Sequence, residues 1–247
     1  AGNLVSMEKG ANASYKLTKK PIMVLSFFDQ DEKKLSLAVK NNIIFPLYSL
    51  ENAKLLNKIG DRLNKKIKVH LKIDTGASRL GILPTDALVF VNELKKLKKI
   101  DLEGIWSHFA SSEDDFAYTK NQHEVFRGVC DKLEKNNINI PVRHIACSAA
   151  GITYDFAREN AMRLGLSLYG LYPTNNKTAI KLKPSLSWHS TIIQVKTLPA
   201  NTKIGYGGTF TTNRPIKIAV LPVGYWDGFD RRLSNRGFVL IKDERCP

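Results

Sequence analysis

The sequence predicts an α/β protein: a (β/α)8 TIM-type barrel whose first strand is not evident, followed by a partial β-rich domain. Three observations carry this reading. Short apolar, β-branched runs alternate with longer helical patterns up to about residue 172. Strand and helix in strict alternation indicate βαβ units on a parallel sheet. After about residue 176 strand-like runs follow one another with no long helix between them. The expected division is therefore a barrel over residues 1–176 and a β-rich domain over 177–247.

Taken in order, the candidate barrel strands are residues 4–7, 22–25, 44–48, 69–73, 102–107, 144–146 and 162–168. Helical stretches lie between them at 29–41, 49–63, 85–99 and 115–135. Asp29, Ser49 and Thr85 are expected N-caps, each just ahead of an apolar pattern of period 3.6. These strands are one short of a closed eight-stranded barrel, and the strand expected to be missing is the first. In the second domain the strand-like runs are 186–195, 216–221 and 238–241, too few for a stable sheet-on-sheet core. The chain is thus expected to be an interior piece of a longer protein, truncated at both ends.

A chain of 247 residues, 43% of them hydrophobic, can bury a substantial core. Its 38 Lys and Arg against 23 Asp and Glu give a formal charge of +15. The lysines are spread over amphipathic segments, as in Glu93-Leu-Lys-Lys-Leu-Lys-Lys99, and no nucleic-acid-binding motif accompanies them, so nucleic acid is not an expected partner. A basic surface can still attract an anionic ligand. No apolar run approaches the ~20 residues of a membrane span, and the amino terminus lacks the order of a signal peptide, so a cytoplasmic location is expected. Cys130, Cys147 and Cys246 have neither zinc-ligand spacing nor the density of a disulfide framework, and read as free thiols.

Several polar residues fall at or just past the carboxyl ends of the candidate strands, where barrel active sites are built. A phosphate needs backbone N–H groups and hydroxyls that approach closely; Ser148, Gly165 and the Leu166 backbone fit that demand, although a lone Gly165 also reads as a packing glycine. Arg163, inside an apolar run, reads either as a salt-bridge residue or as a ligand contact, and His108 either as a hydrogen-bonded barrel histidine or as a ring that stacks on a ligand. His70, His123, His189 and Trp106 are assigned to structure.

The motifs Lys72-Ile-Asp-Thr-Gly-Ala-Ser-Arg-Leu-Gly81, Ser107-His-Phe-Ala110, His144-Ile-Ala-Cys-Ser-Ala-Ala150, Met162-Arg-Leu-Gly-Leu-Ser-Leu-Tyr-Gly-Leu171, Ile204-Gly-Tyr-Gly-Gly-Thr209 and Pro222-Val-Gly-Tyr-Trp-Asp-Gly228 follow in order along nearly the whole chain. Together they resemble the alanine racemase family of pyridoxal 5'-phosphate enzymes. The resemblance implies interconversion of L- and D-alanine by two-base proton transfer, supplying D-alanine for peptidoglycan, in a homodimer with shared active sites. By resemblance Arg163 points at the pyridine nitrogen of pyridoxal phosphate and His144 supports it. His108 stacks on the cofactor ring, and Ser148, Gly165 and Leu166 hold the phosphate. Arg79 contacts the phenolic oxygen and orients the substrate carboxylate. Lys72 is its neighbour, and the matching lysine is carbamylated in some members. Tyr206 matches the second base, delivered by the partner subunit, and Tyr225 the tyrosine lining the substrate entrance.

The chain also departs from the family. Cys147 stands where the family usually has asparagine, and nothing in residues 1–247 resembles the Val-Lys-Ala-Asn-Ala-Tyr-Gly segment carrying the cofactor-binding lysine, the Cys-Met-Asp segment or the late phosphate-binding tyrosine. The 247 residues by themselves are therefore expected to be inactive. The rival readings are a broad-specificity or serine racemase of the same fold, a non-catalytic pyridoxal-phosphate-binding barrel, and an inactive remnant.

Overall fold

A computed structural model describes residues 10, 14–18, 20–175 and 180–247, in two compact units, 1–185 and 186–247. The candidate strand at 4–7 lies outside the described residues.

In the first unit, parallel strands succeed one another in chain order, each followed by a helix. The bridge from Met23 to Ile44 leads into β1 (Phe45–Leu47), which pairs with β2 (Ile67–Lys72), then β3 (Ile100–Trp106), then β4 (Val142–His144), and a bridge from His144 to Ala161 continues the series. This sequential parallel order is that of a (β/α)8 barrel. The helices are α1 (Glu32–Lys40), α2 (Leu50–Leu63), α3 (Ala87–Leu94), α4 (Phe116–Lys135) and the short α5 (Ser148–Thr153). Alternation along β2 sends Ile67, Val69 and Leu71 to one face, where they are buried in one apolar cluster with Leu56 and Ile59 of α2, Val91 of α3 and Phe126 of α4. The opposite face carries Lys68, His70 and Lys72, and this polar side is what the fold makes available for chemistry.

Ser49 caps α2 as expected, its hydroxyl accepting from the Asn52 N–H at 3.3 Å. The other two caps differ. Asp31, not Asp29, caps α1, accepting from the Lys33 and Lys34 N–H groups, while Asp29 accepts from the Asp31 N–H at 3.2 Å and so shapes the approach. Thr85 sits inside a 3-10 turn, Pro84–Asp86, and its hydroxyl donates to Asp86. Helix α3 ends at Leu94 rather than reaching 99, because the Lys99 carbonyl already accepts the Ile67 N–H at 2.8 Å and the chain must turn into the sheet.

The predicted strand at 162–168 is not continuous. Only Ala161 bridges to the sheet; the Arg163 N–H donates to the Ala146 carbonyl at 3.0 Å, and Leu166–Tyr169 form a 3-10 turn. The Gly165 N–H is taken by the Ser148 hydroxyl, so the ladder cannot propagate.

The second unit is built of antiparallel pairs: β5 (Gln194–Leu198) with β8 (Ile216–Val220), β6 (Lys203–Ile204) with β7 (Phe210–Thr211), and β9 (Val239–Ile241) with β10 (Glu244–Cys246). The β9–β10 hairpin closes through Lys242 and Asp243, both at positive φ, the turn that matches strand twist. Regular pairing begins at residue 194, so most of the predicted 186–195 run is extended chain outside any strand. No helix among the described residues is long and apolar enough to cross a membrane.

Candidate active site

Lys72, Trp106 and His144 are directly aligned across β2, β3 and β4, at the ends of their strands and on the same face. Trp106 is the floor of the cluster. Its ring stacks on His144, with centroids 5.6 Å apart and planes 11° apart, and the Lys72 ammonium lies 4.3 Å from its centroid and the Arg163 guanidinium 4.8 Å. Two cations over an indole are stabilised by the ring quadrupole. Trp106, assigned to structure from sequence, packs against three of the candidate site residues, and strand register is the signal that places it there.

Arg163 is fixed by neutral acceptors alone among the described residues. One terminal nitrogen donates to His144 Nδ1 at 2.6 Å and to the His144 carbonyl at 3.2 Å; the other donates to the Ser107 carbonyl at 2.7 Å, the Ile145 carbonyl at 3.1 Å and His108 Nδ1 at 3.0 Å. An arginine can only donate, so His144 presents a bare Nδ1 and carries its proton on Nε2, whereas the two N–H groups of the other terminal nitrogen are shared among three acceptors, of which His108 Nδ1 is one. Burial, and then the Arg163 charge, hold His144 down to about 2. Burial and the charges of Arg163 and Arg79 hold His108 down to about 4. Burial pulls Arg163 down only to about 10, so it stays a cation at neutral pH. Lys72 falls to about 8, through burial first and then through Arg79 and Arg163.

Arg79 sits on the exposed loop after β2, which Asp74 folds: its carboxylate accepts the N–H groups of Gly76 at 3.0 Å, Ser78 at 3.0 Å and Arg79 at 3.1 Å. Helix α4 ties that loop to the one after β3. Tyr118 donates to the Gly76 carbonyl at 2.7 Å, and Gln122 reaches Thr75, the His108 carbonyl and the Ala110 N–H. Gly76 has φ of +133°, and a Cβ there would stand 2.6 Å from the Tyr118 hydroxyl, so the close approach requires glycine. Asp74, Tyr118 and Gln122 escaped the sequence reading because their role lies in contacts between loops and a helix.

Arg79, His108 and Cys147 line one pocket of about 340 Å³ together with Ala77, Phe109, Ala110 and Glu113, a volume within the small-ligand range. Ser148 opens α5 beneath the 163–169 segment, and its hydroxyl accepts the Gly165 N–H at 2.8 Å. The Ser167 hydroxyl in that segment is buried with no partner among the described residues. The Cys147 thiol meets the Ser112 hydroxyl at 3.1 Å, and all three cysteines are free.

Tyr206 and Tyr225 belong to the second unit. Each opens a 3-10 turn, Tyr206–Gly208 and Tyr225–Asp227, and Tyr206 is 85% exposed and Tyr225 50%. The structure thus gathers Lys72, His108, His144, Ser148, Arg163 and Gly165 at one end of the parallel sheet and presents the two tyrosines on the surface of the other unit.

Family profiles described as alanine racemase, N-terminal domain, and alanine racemase, C-terminal domain, match residues 7–173 and 185–247. An alanine racemase of Methanococcus maripaludis is 42% identical over 92% of this chain, and alanine racemase 2 of Caldanaerobacter subterraneus is 40% identical over 95%. The chain spans 61% and 60% of their lengths. Among solved structures, the alanine racemase of Clostridium difficile 630 superposes with a TM-score of 0.81 at 32% identity, covering 97% of this chain and 63% of that one. The alanine racemase of E. faecalis gives 0.82 at 30% identity over 97% and 64%.

Proposed function

The chain belongs to the alanine racemase family, with its barrel followed by a β-rich domain, and from that premise we propose that the protein containing it interconverts L- and D-alanine using pyridoxal phosphate. The observation that carries the proposal is Arg163, a partly buried cation with no carboxylate partner among the described residues, bonded to two histidines that burial holds neutral.

The residues present fit the cofactor. The Ser167 hydroxyl, without a partner among the described residues and beside the Ser148 contact to Gly165, leaves polar capacity where a phosphate would be held by Ser148, Gly165 and the Leu166 backbone. When bound, pyridoxal phosphate supplies the electron sink that makes the α-proton removable. Arg163 would then face the pyridine nitrogen, and because it does not surrender a proton at working pH it would leave that nitrogen unprotonated and the sink shallow, which would favour return of the proton to the α-carbon over transfer of the amine. His108 supports the ring, and Arg79 on its Asp74-folded loop orients the substrate carboxylate, with Lys72 beside it.

Racemisation removes a proton on one face and returns it on the other, which requires two bases. Tyr206 is our candidate for one of them, delivered to the barrel of a partner subunit in a homodimer, with Tyr225 at the entrance. The family's other base is a lysine. We place the protein in the cytoplasm, and its product in the supply of D-alanine for peptidoglycan. The division into a barrel over 1–176 and a β-rich domain over 177–247 is part of the same reading. Turnover of alanine, serine and lysine by the protein containing these residues tests it: alanine is expected to lead, and a preference for serine or lysine, or no turnover, would overturn the assignment.

A further inference from the structure

The hydrogen bonds that hold Arg163 do not stop at His144. Because Arg163 donates to His144 Nδ1, the His144 proton sits on Nε2, and Nε2 lies 2.8 Å from Nδ1 of His70. His70 must therefore accept at Nδ1 and carry its own proton on Nε2, which faces the Glu103 carboxylate at 3.4 Å. Glu103 also pairs with Lys68. The line runs from the partly buried guanidinium through two buried imidazoles to a partly exposed carboxylate, with every donor and acceptor role along it determined.

Two backbone features build this line. The β2–β3 register slips by one residue between Val69 and His70, so Glu103 has no partner across the pair and its side chain is re-aimed toward Lys68 and His70. Gly104 stands directly opposite His70, and a Cβ there would lie 2.6 Å from three atoms of the His70 ring. The ring occupies space that only a glycine leaves open.

We propose that His70 is a positioning residue: it accepts the Nε2–H of His144 and passes its own Nε2–H to Glu103, so that Arg163 is aimed by a neutral, single-tautomer relay ending in a carboxylate rather than by a carboxylate in direct contact. A carboxylate on the guanidinium would spend its donors and fix it elsewhere. Two imidazoles instead transmit polarisation while leaving Arg163 a full cation toward the site. The role in catalysis rests on the racemase reading; the relay itself does not.

The test has two arms. In the apo protein, histidine labelled with 15N should show Nδ1 unprotonated and Nε2 protonated in both His70 and His144, unchanged between pH 8 and pH 6. A protonated Nδ1 on either ring would overturn the relay, whatever the protein's activity. In the holoenzyme, His70→Leu removes the acceptor and should raise the fraction of turnovers that release pyruvate by about tenfold, the weight of one buried hydrogen bond of ~1.4 kcal/mol. His70→Asn places a carbonyl oxygen near the position of Nδ1 and should bring that fraction most of the way back. Unchanged partitioning in a folded His70→Leu protein would overturn the positioning role. An unaltered protein that fails to racemise alanine would instead sink the racemase reading, and the tautomers would still judge the relay.

Discussion

Acidification should destabilise this protein well before its carboxylates are neutralised, because the histidines at the site are held neutral. A histidine in an unfolded chain titrates near 6.5, whereas His144 is held down to about 2 and His108 to about 4, chiefly by burial. With the folded value depressed, the unfolded chain binds more protons below pH 6.5. The native state is therefore fully favoured above that value and loses ground as pH falls. Between pH 7 and pH 5 each of these two histidines should cost about 2 kcal/mol, so together about 4 kcal/mol, a large part of a typical domain's stability. His70, lowered by burial against the opposing pull of Glu103, adds to the loss with the same sign. Carboxylates with lowered values, such as Glu159, stay ionised across this window, so the loss is assignable to histidine. Urea unfolding at the two pH values reads it directly: the midpoint should fall by about 1.5 M for an m-value of ~2.5 kcal/mol/M, and His144→Asn should flatten the dependence by about half. A midpoint that is the same at pH 5 and pH 7 would refute the reasoning, since the imidazoles would then be charged or solvated in the native state.

Further outcomes follow from the same contacts. Gly104→Ala forces a Cβ against the His70 ring and should destabilise by about 1–3 kcal/mol in urea unfolding; a neutral substitution would mean that the ring is free to move. On the proposed reading, Arg163→Glu in the holoenzyme places a carboxylate where a cation would limit the electron sink, so pyruvate should accumulate during turnover of alanine. Unchanged product partitioning would remove Arg163 from the pyridine nitrogen.

The alternation of period-2 and period-3.6 patterns made the parallel barrel legible, and Ser49 announced its helix because cap and apolar stripe are local signals. The 162–168 segment was misread as a strand because its apolar residues look like one, while a single contact from distant Ser148 to Gly165 ends the ladder. The motif residues Arg163, His144, His108 and Ser148 were visible as candidates and lie together. His70 and Trp106 were not, because each was set aside as an ordinary core residue, and only the register of β2, β3 and β4 aligns Trp106 with Lys72 and His144 and brings His70 within reach of His144. Glu103 could not have been read at all, since its orientation depends on a register slip that no periodicity records.

The two-base account stands or falls on solvent deuterium exchange at the α-carbon, measured separately for L- and D-alanine in the holoenzyme carrying Tyr206→Phe. The change keeps the ring and removes the hydroxyl that would carry the proton. Exchange from L-alanine should collapse by orders of magnitude, while exchange from D-alanine, served by the family's lysine, should survive far better. Equal loss from both enantiomers would contradict a base acting on one face.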